Sequence, residues 1–300
     1  MKRNLLSLSG LAALLTVMLI TGTSFAMSIE KEVLFTDVSW LKANLSEVVI
    51  LDARSEKAYK AGHIPGAINS PWSSWTDPPI GKQGDPGWNT TMANDKLGAY
   101  VGSLGIDGKK PVIIYGEPYS FGEDGRVLWE LRLVGVNNVR ILDGGFPAWK
   151  VAGGEVTKEA HSVTPVPFTV KEIDGSYVVS REEMIADWKK FKIIDARSAA
   201  EYKGDTDHGE KRRGHIPGAS CIPFDSVYND DGTVIEPDKM RELFLSMGVK
   251  PGDQVVTYCT IGIRSGFLAM MFRLSGWEDA RNYEASFSEW AGNDNLPVEK

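Results

Sequence analysis

Much of this chain is written twice. Leu51-Asp52-Ala53-Arg54-Ser55 returns as Ile194-Asp195-Ala196-Arg197-Ser198, and Gly62-His63-Ile64-Pro65-Gly66-Ala67 returns as Gly214-His215-Ile216-Pro217-Gly218-Ala219. Val112-Ile113-Ile114-Tyr115 returns as Val255-Val256-Thr257-Tyr258, at the same spacing as the first pair, and Phe146 and Trp149 return as Phe287 and Trp290. The wider spacing of the second pair marks an insertion around Gly204–Arg213. Landmarks in one order, set much further apart than a solenoid repeat, require a duplicated domain. A chain of 300 residues has room for two domains of ordinary size.

Within each copy, short apolar runs alternate with helical patterns. Val48–Leu51, Val112–Tyr115 and Val139–Leu142 have the unbroken apolar character of buried parallel strands. Asn94–Leu104 and Gly125–Val134 read as helices, and Ser180 with Glu183 predicts a capping-box start for a helix over Arg181–Trp188. The expected fold class is therefore α/β, with two tandem domains, each a parallel sheet flanked by helices on both faces. The first domain is expected over 27–155, the connection over 156–176 and the second domain over 177–300. The irregular stretch Gly153–Gly175, with Pro165 and Pro167, carries the boundary.

Ahead of the repeat, Lys2 and Arg3 precede an apolar stretch strongest over Leu11–Ile20, followed by Ser24-Phe25-Ala26. The apolar run is too short for a spanning helix, and the small residues fit a cleavage site after Ala26. A cleavable leader over 1–26 is expected, and with it a periplasmic location and no membrane association after cleavage. A net charge of -7 and a pI near 5.3 argue against nucleic acid as a partner. Two cysteines and four histidines without ligand spacing give no support for a metal site, and nothing calls for a cofactor.

The copies differ where chemistry is expected. Val255–Tyr258 runs into Cys259-Thr260-Ile261-Gly262-Ile263-Arg264, and a helix follows. This places Cys259 in a strand-to-helix loop at the carboxyl end of a parallel strand, where open α/β sheets hold ligands. Inward-facing N–H groups, the helix N-terminus and Arg264 each favour thiolate over thiol. A partly exposed, low-pKa nucleophile follows as the expectation. The first copy has Gly116 at the matching position, in a longer loop with Glu117, Glu123 and Asp124, and is read as catalytically silent.

The paired D-A-R-S and G-H-I-P-G-A segments and the C-T-I-G-I-R-S loop resemble the rhodanese family of sulfurtransferases, in its tandem form with an inert first domain. The resemblance implies that Cys259 accepts a sulfane sulfur from thiosulfate or a similar donor and passes it to cyanide or a thiol, by a ping-pong scheme. It also implies a substrate cradle over Thr260, Ile261, Gly262, Ile263 and Arg264. Tyrosine-phosphatase-type loops are one residue longer between cysteine and arginine, which favours sulfur over phosphate here. Mercaptopyruvate-type members carry serine where this chain has Ile261, and that activity stays an alternative, as does a persulfide carrier without turnover.

Because Thr260 and Ile261 are uncharged, Lys211, Arg212 and Arg213 in the insertion are candidates to bind the anionic end of the donor. Asp195, Arg197 and His215 are candidate supporting residues. Their recurrence as Asp52, Arg54 and His63 in the silent copy favours a structural bridge and a stabilised turn, with acid–base work by His215 the alternative. Glu284-Ala285-Ser286 replaces Asp143-Gly144-Gly145, so different local geometry is expected there. Cys221 reads as a buried structural thiol, the alternative being a disulfide with Cys259. Trp72, Trp75 and Trp88 read as packing or as a wall over the cleft. Small sulfur donors and acceptors, with a protein thiol as a further acceptor, are the expected partners of a monomer.

Overall fold

The computed structural model describes residues 30–77 and 81–300. The expected leader lies outside the described residues. In the first unit the order is β1 (Phe35–Thr36), α1 (Val38–Asn44), β2 (Val49–Asp52), α2 (Glu56–Ala61), β3 (Ala67–Asn69), α3 (Asn94–Ser103), β4 (Val112–Tyr115), α4 (Glu123–Leu133), β5 (Val139–Leu142) and α5 (Gly145–Val151). The second unit follows with α6 (Arg181–Asp187), β6 (Lys192–Asp195), α7 (Ala199–Lys203), β7 (Ser220–Cys221), α8 (Pro237–Ser246), β8 (Val255–Tyr258), α9 (Ile263–Leu274), β9 (Arg281–Asn282) and α10 (Ser286–Gly292).

Both sheets are wholly parallel, ordered β1-β5-β4-β2-β3 and β7-β6-β8-β9. The place of β1 is taken in the second unit by a single parallel bridge, Val178 to Asn282. The central strands β4 and β8 are buried at all four positions, as sheets covered on both faces require. Among the described residues, no helix is long and apolar enough to cross a membrane. Ser180 caps α6 by accepting the Glu183 N–H at 3.0 Å. The reciprocal half of the expected box is missing, because the Glu183 carboxylate turns to Arg281 at 3.1 Å. A complete capping box forms instead at Ser198 and Glu201, opening α7.

The units meet through α4 and α9, which cross the interface side by side. Every residue from Asp124 to Leu131 and from Ile263 to Phe272 is buried, the pattern of helices covered all round. Close approach depends on Gly125, where a Cβ would overlap the Phe267 ring. Phe267 in turn stacks on Tyr228, with centroids 5.4 Å apart. A second contact comes from the long connection between β3 and α3. Gln83 donates to Ser288 Oγ and to the His208 carbonyl, both at 3.1 Å, and the Gly87 N–H reaches Glu289 at 2.8 Å.

Gly125→Val forces two methyl groups into this contact. A loss of about 1–3 kcal/mol in urea unfolding is the expected outcome. Unchanged stability would show that α4 and α9 part without cost.

Candidate active site

The loop after β8 is shaped by its backbone partners. Cys259 follows the last residue of the strand, and Gly262, at φ 84°, turns the chain into α9. A Cβ at Gly262 would overlap the Glu284 carbonyl and lie 2.7 Å from Arg126 Nη1, so only glycine fits. The Gly262 N–H donates to Cys259 Sγ at 3.2 Å. The Cys259 N–H donates to Ser286 Oγ at 3.1 Å, and that hydroxyl donates to the Tyr283 carbonyl at 2.8 Å. Amides in the first turn of α10 close the loop from beyond, Phe287 to the Cys259 carbonyl at 3.0 Å and Ser288 to the Thr260 carbonyl at 3.1 Å. The expected change of local geometry occurs at the first glycine, where Ala285 is right-handed at φ -65° and Gly144 left-handed at φ 75°, and not at the second. Ser286 takes φ 57°, beside 58° at Gly145, and its hydroxyl receives the cysteine amide.

The first unit also holds this loop. Arg126 of α4, 1% exposed, donates to the Gly262 carbonyl at 3.2 Å. It is fixed by Glu130 at 2.7 Å and by Glu284 at 2.9 Å. Thr91 Oγ1 donates into the same carboxylate group, 2.8 Å from Glu284.

Arg264 is not a free cation. Its guanidinium forks onto Glu201 at 2.7 and 2.8 Å and donates to Thr260 Oγ1 at 2.9 Å. Burial pushes the Glu201 carboxyl up, but Arg264 outweighs it and holds the group down to about 2. For Cys259, burial likewise favours the thiol, yet the Arg264 charge and the N–H groups of Ser265 and Ile261 shift it net downward. Cys221 moves the other way, to about 11, through burial and then through Asp195.

A cavity of about 300 Å³ opens over Cys259, between the units. Trp72, Trp88 and Phe121 wall it from the first unit, and Ile261 and Ile263 from the second. Gln83, Glu123 and His208 supply polar atoms alongside Thr260 and Arg264. The thiol expected to be partly exposed is at the floor of this cavity, in a residue only 1% exposed. Trp75 is in the first unit's core, its Nε1 on Ser70 Oγ at 3.0 Å.

The insertion's basic run does not reach the cavity. Arg212 donates to the carbonyls of Trp290, Ala291, Asn293 and Leu296, capping the orphan carbonyls at the end of α10. Arg213 pairs with Asp207 at 2.5 Å and Lys211 with Asp294 at 2.6 Å. Arg212 and Arg213, expected to bind the donor, therefore lie outside the cavity lining. From the same insertion it is His208 that lines the cavity, its Nε2 3.4 Å from Glu201.

Asp195 and Arg197 form a buried bridge at 2.7 Å, with Tyr258 OH on Asp195 at 2.6 Å and Arg197 on the Gly214 carbonyl at 2.7 Å. Asp52, Arg54, Tyr115 and Gly62 repeat it. His215 stacks on Tyr202 with centroids 3.7 Å apart, as His63 does on Tyr59, and neither lines the cavity. Both cysteines are free thiols, and Cys221 lies with its Sγ 3.7 Å from the Arg197 carbonyl.

Sequence reasoning passed over Glu201, Gln83, Phe121, Arg126 and His208 as site residues. One signal was available. Ser198-Ala199-Ala200-Glu201 matches Ser55-Glu56-Lys57-Ala58, so the glutamate occurs only in the copy that has the cysteine and Arg264.

Comparison with known proteins bears on the fold that carries this site. The family model for the rhodanese-like domain matches residues 37–152 and again 181–293. The chain belongs to the rhodanese-like family. It is 28% identical to the sulfur carrier protein TtuD of Thermus thermophilus, over 87% of this chain and 94% of that one. It is also 28% identical to the mitochondrial thiosulfate/3-mercaptopyruvate sulfurtransferase 1 of Arabidopsis thaliana, over 87% and 77%. The anaerobic ergothioneine biosynthesis enzyme of Chlorobium limicola shares the tandem rhodanese fold, with a TM-score of 0.79 at 21% identity over 91% of this chain and 71% of that one.

Removing Arg264 alone strands a buried carboxylate. Arg264→Ala is expected to cost about 3–5 kcal/mol in urea unfolding. Pairing Arg264→Gln with Glu201→Gln should recover most of that stability while leaving the alkylation midpoint of Cys259 raised. Because Glu201 titrates below its ordinary value of 4.5, its share of stability is complete above that pH and is lost as pH falls towards 2. The double variant should lack that acid-side loss. A single variant as stable as the parent would contradict the pairing.

Proposed function

We propose that the protein is a sulfurtransferase that works through a Cys259 persulfide. One observation carries the reading: a thiol shifted towards thiolate, with the Gly262 N–H on its sulfur, at the floor of the cavity between the units. In the first half-reaction the Cys259 thiolate attacks the sulfane sulfur of a donor, thiosulfate in the simplest case. A sulfur–sulfur bond forms at Cys259, the donor's own sulfur–sulfur bond breaks, and sulfite leaves with the electron pair. The terminal sulfur then carries the negative charge, and the loop N–H groups and helix N-terminus that favour the thiolate favour this anion equally. In the second half-reaction cyanide or a thiolate attacks the outer sulfur and Cys259 leaves as thiolate. Two such steps give ping-pong kinetics.

In this reading the first unit is silent in chemistry and active in shape. At Gly116 there is no nucleophile, and a Cβ there would stand 3.0 Å from the Asp124 carboxyl. Burial, reinforced by Glu123, pushes that acid up to about 7. Where the second unit offers Arg264, the first thus offers an acid. The named sulfur carrier among the relatives favours a second reading, a persulfide that is handed to a partner's thiol without turnover on small acceptors. A mercaptopyruvate donor is a third, weakened by Ile261. The location in the periplasm, following a leader cut after Ala26, belongs to the same proposal, as does a monomer acting on small donors.

Incubation with thiosulfate should leave the protein about 32 Da heavier, by one sulfur atom on Cys259. Cys259→Ser should abolish both the adduct and cyanide-dependent turnover, and Cys221→Ala should keep most of each. An adduct and turnover that survive in the Cys259 variant would sink the mechanism. Loading without repeated turnover would select the carrier.

A further inference from the structure

Charge around the cavity opposes a small dianion. Among the described residues, two lining side chains could offer positive charge, Arg264 and His208, and both face Glu201. The Arg264 fork satisfies that carboxylate at 2.7 and 2.8 Å, so little net charge is left over for a ligand. Lys211, Arg212 and Arg213 are engaged elsewhere. Glu123 is different. It accepts from Ser120 Oγ at 3.0 Å and from the Phe121 N–H at 3.1 Å, and it has no basic partner among the described residues. Glu123 lines the cavity next to the aromatic wall of Trp72, Trp88 and Phe121. A charge against apolar walls is weakly screened and acts strongly on a ligand. The volume, about 300 Å³, is at the lower end of sites that hold organic ligands.

We propose that Glu123, supplied by the silent unit, is a specificity-determining residue that selects organic sulfur donors without negative charge and disfavours thiosulfate-like oxyanions. This rests on the sulfur-transfer reading of Cys259. With an organic persulfide R–S–SH, the Cys259 thiolate attacks the terminal sulfur and a new sulfur–sulfur bond forms. The bond from R–S to that sulfur breaks, and R–S⁻ leaves with the electron pair and takes up the terminal proton. The products are R–SH and the Cys259 persulfide anion, with no external oxidant or reductant.

The test compares donors matched in length and opposite in end charge, the persulfides of 2-aminoethanethiol and of 3-mercaptopropionate, with thiosulfate as the third. Loading of the full chain is followed by intact mass, and peptide mapping places the adduct. In the parent protein the cationic persulfide should load about tenfold faster than the anionic one. Glu123→Gln, which keeps an acceptor for Ser120 and Phe121, should bring that ratio towards one and speed loading by thiosulfate. An unchanged thermal midpoint would certify that variant as folded. Equal rates for the two persulfides in the parent protein would overturn the proposal, with sulfur transfer intact. So would a ratio that Glu123→Gln does not move. Failure of all three donors to load Cys259 would overturn the underlying reading instead.

Discussion

The close crossing of α4 and α9 is the contact on which the site depends. Gly125 lets the two backbones approach until Phe267 fills the space a side chain would occupy. That approach brings the start of α4 over the cysteine loop of the other unit. Phe121 and Glu123 arrive at the cavity in this way, and Arg126 reaches the Gly262 carbonyl. Duplication therefore supplies more than bulk. The second unit alone would present Cys259 at the open carboxyl end of its sheet, without the Trp72, Trp88 and Phe121 wall and with Asn282 as the remaining donor to the Gly262 carbonyl.

Inside that frame the electrostatics are local. A lone guanidinium beside a thiol would stabilise the thiolate strongly, but Arg264 is matched by Glu201 at hydrogen-bond distance. What remains is an oriented dipole, together with amides that cannot turn away because α10 holds the loop carbonyls. Buried pairs of this kind contribute geometry more than net stability. Here the geometry keeps the arginine fixed against Thr260 and leaves the cavity close to neutral on that side. The negative character of the site then comes from the first unit.

The differences between the two copies mark the site, and their common features mark the frame. Features shared by both copies lie outside the cavity lining: the Asp–Arg–Tyr bridge, the histidine stacked on a tyrosine, and the buried strands. Features present in only one copy lie at the site: Cys259 against Gly116, Arg264 against the acidic start of α4 at Glu123 and Asp124, and Glu201 against Ala58. The basic run in the insertion broke this rule. Lys211, Arg212 and Arg213 are unique to the second copy, yet Arg212 is consumed by helix-end carbonyls that no sequence pattern revealed.

The sequence alone was enough for the tandem α/β architecture and for the placement of Cys259 between a strand and a helix. Both follow from local patterns, apolar runs of strand length and a repeat in fixed order, which survive whatever the domains do to each other. Which side chains share the cavity with that thiol was settled only by tertiary structure. Gln83, Phe121 and Glu123 come from the first unit and His208 from the second unit's own insertion, and only the packing of one unit on the other brings all of them to the cavity over a single sulfur atom.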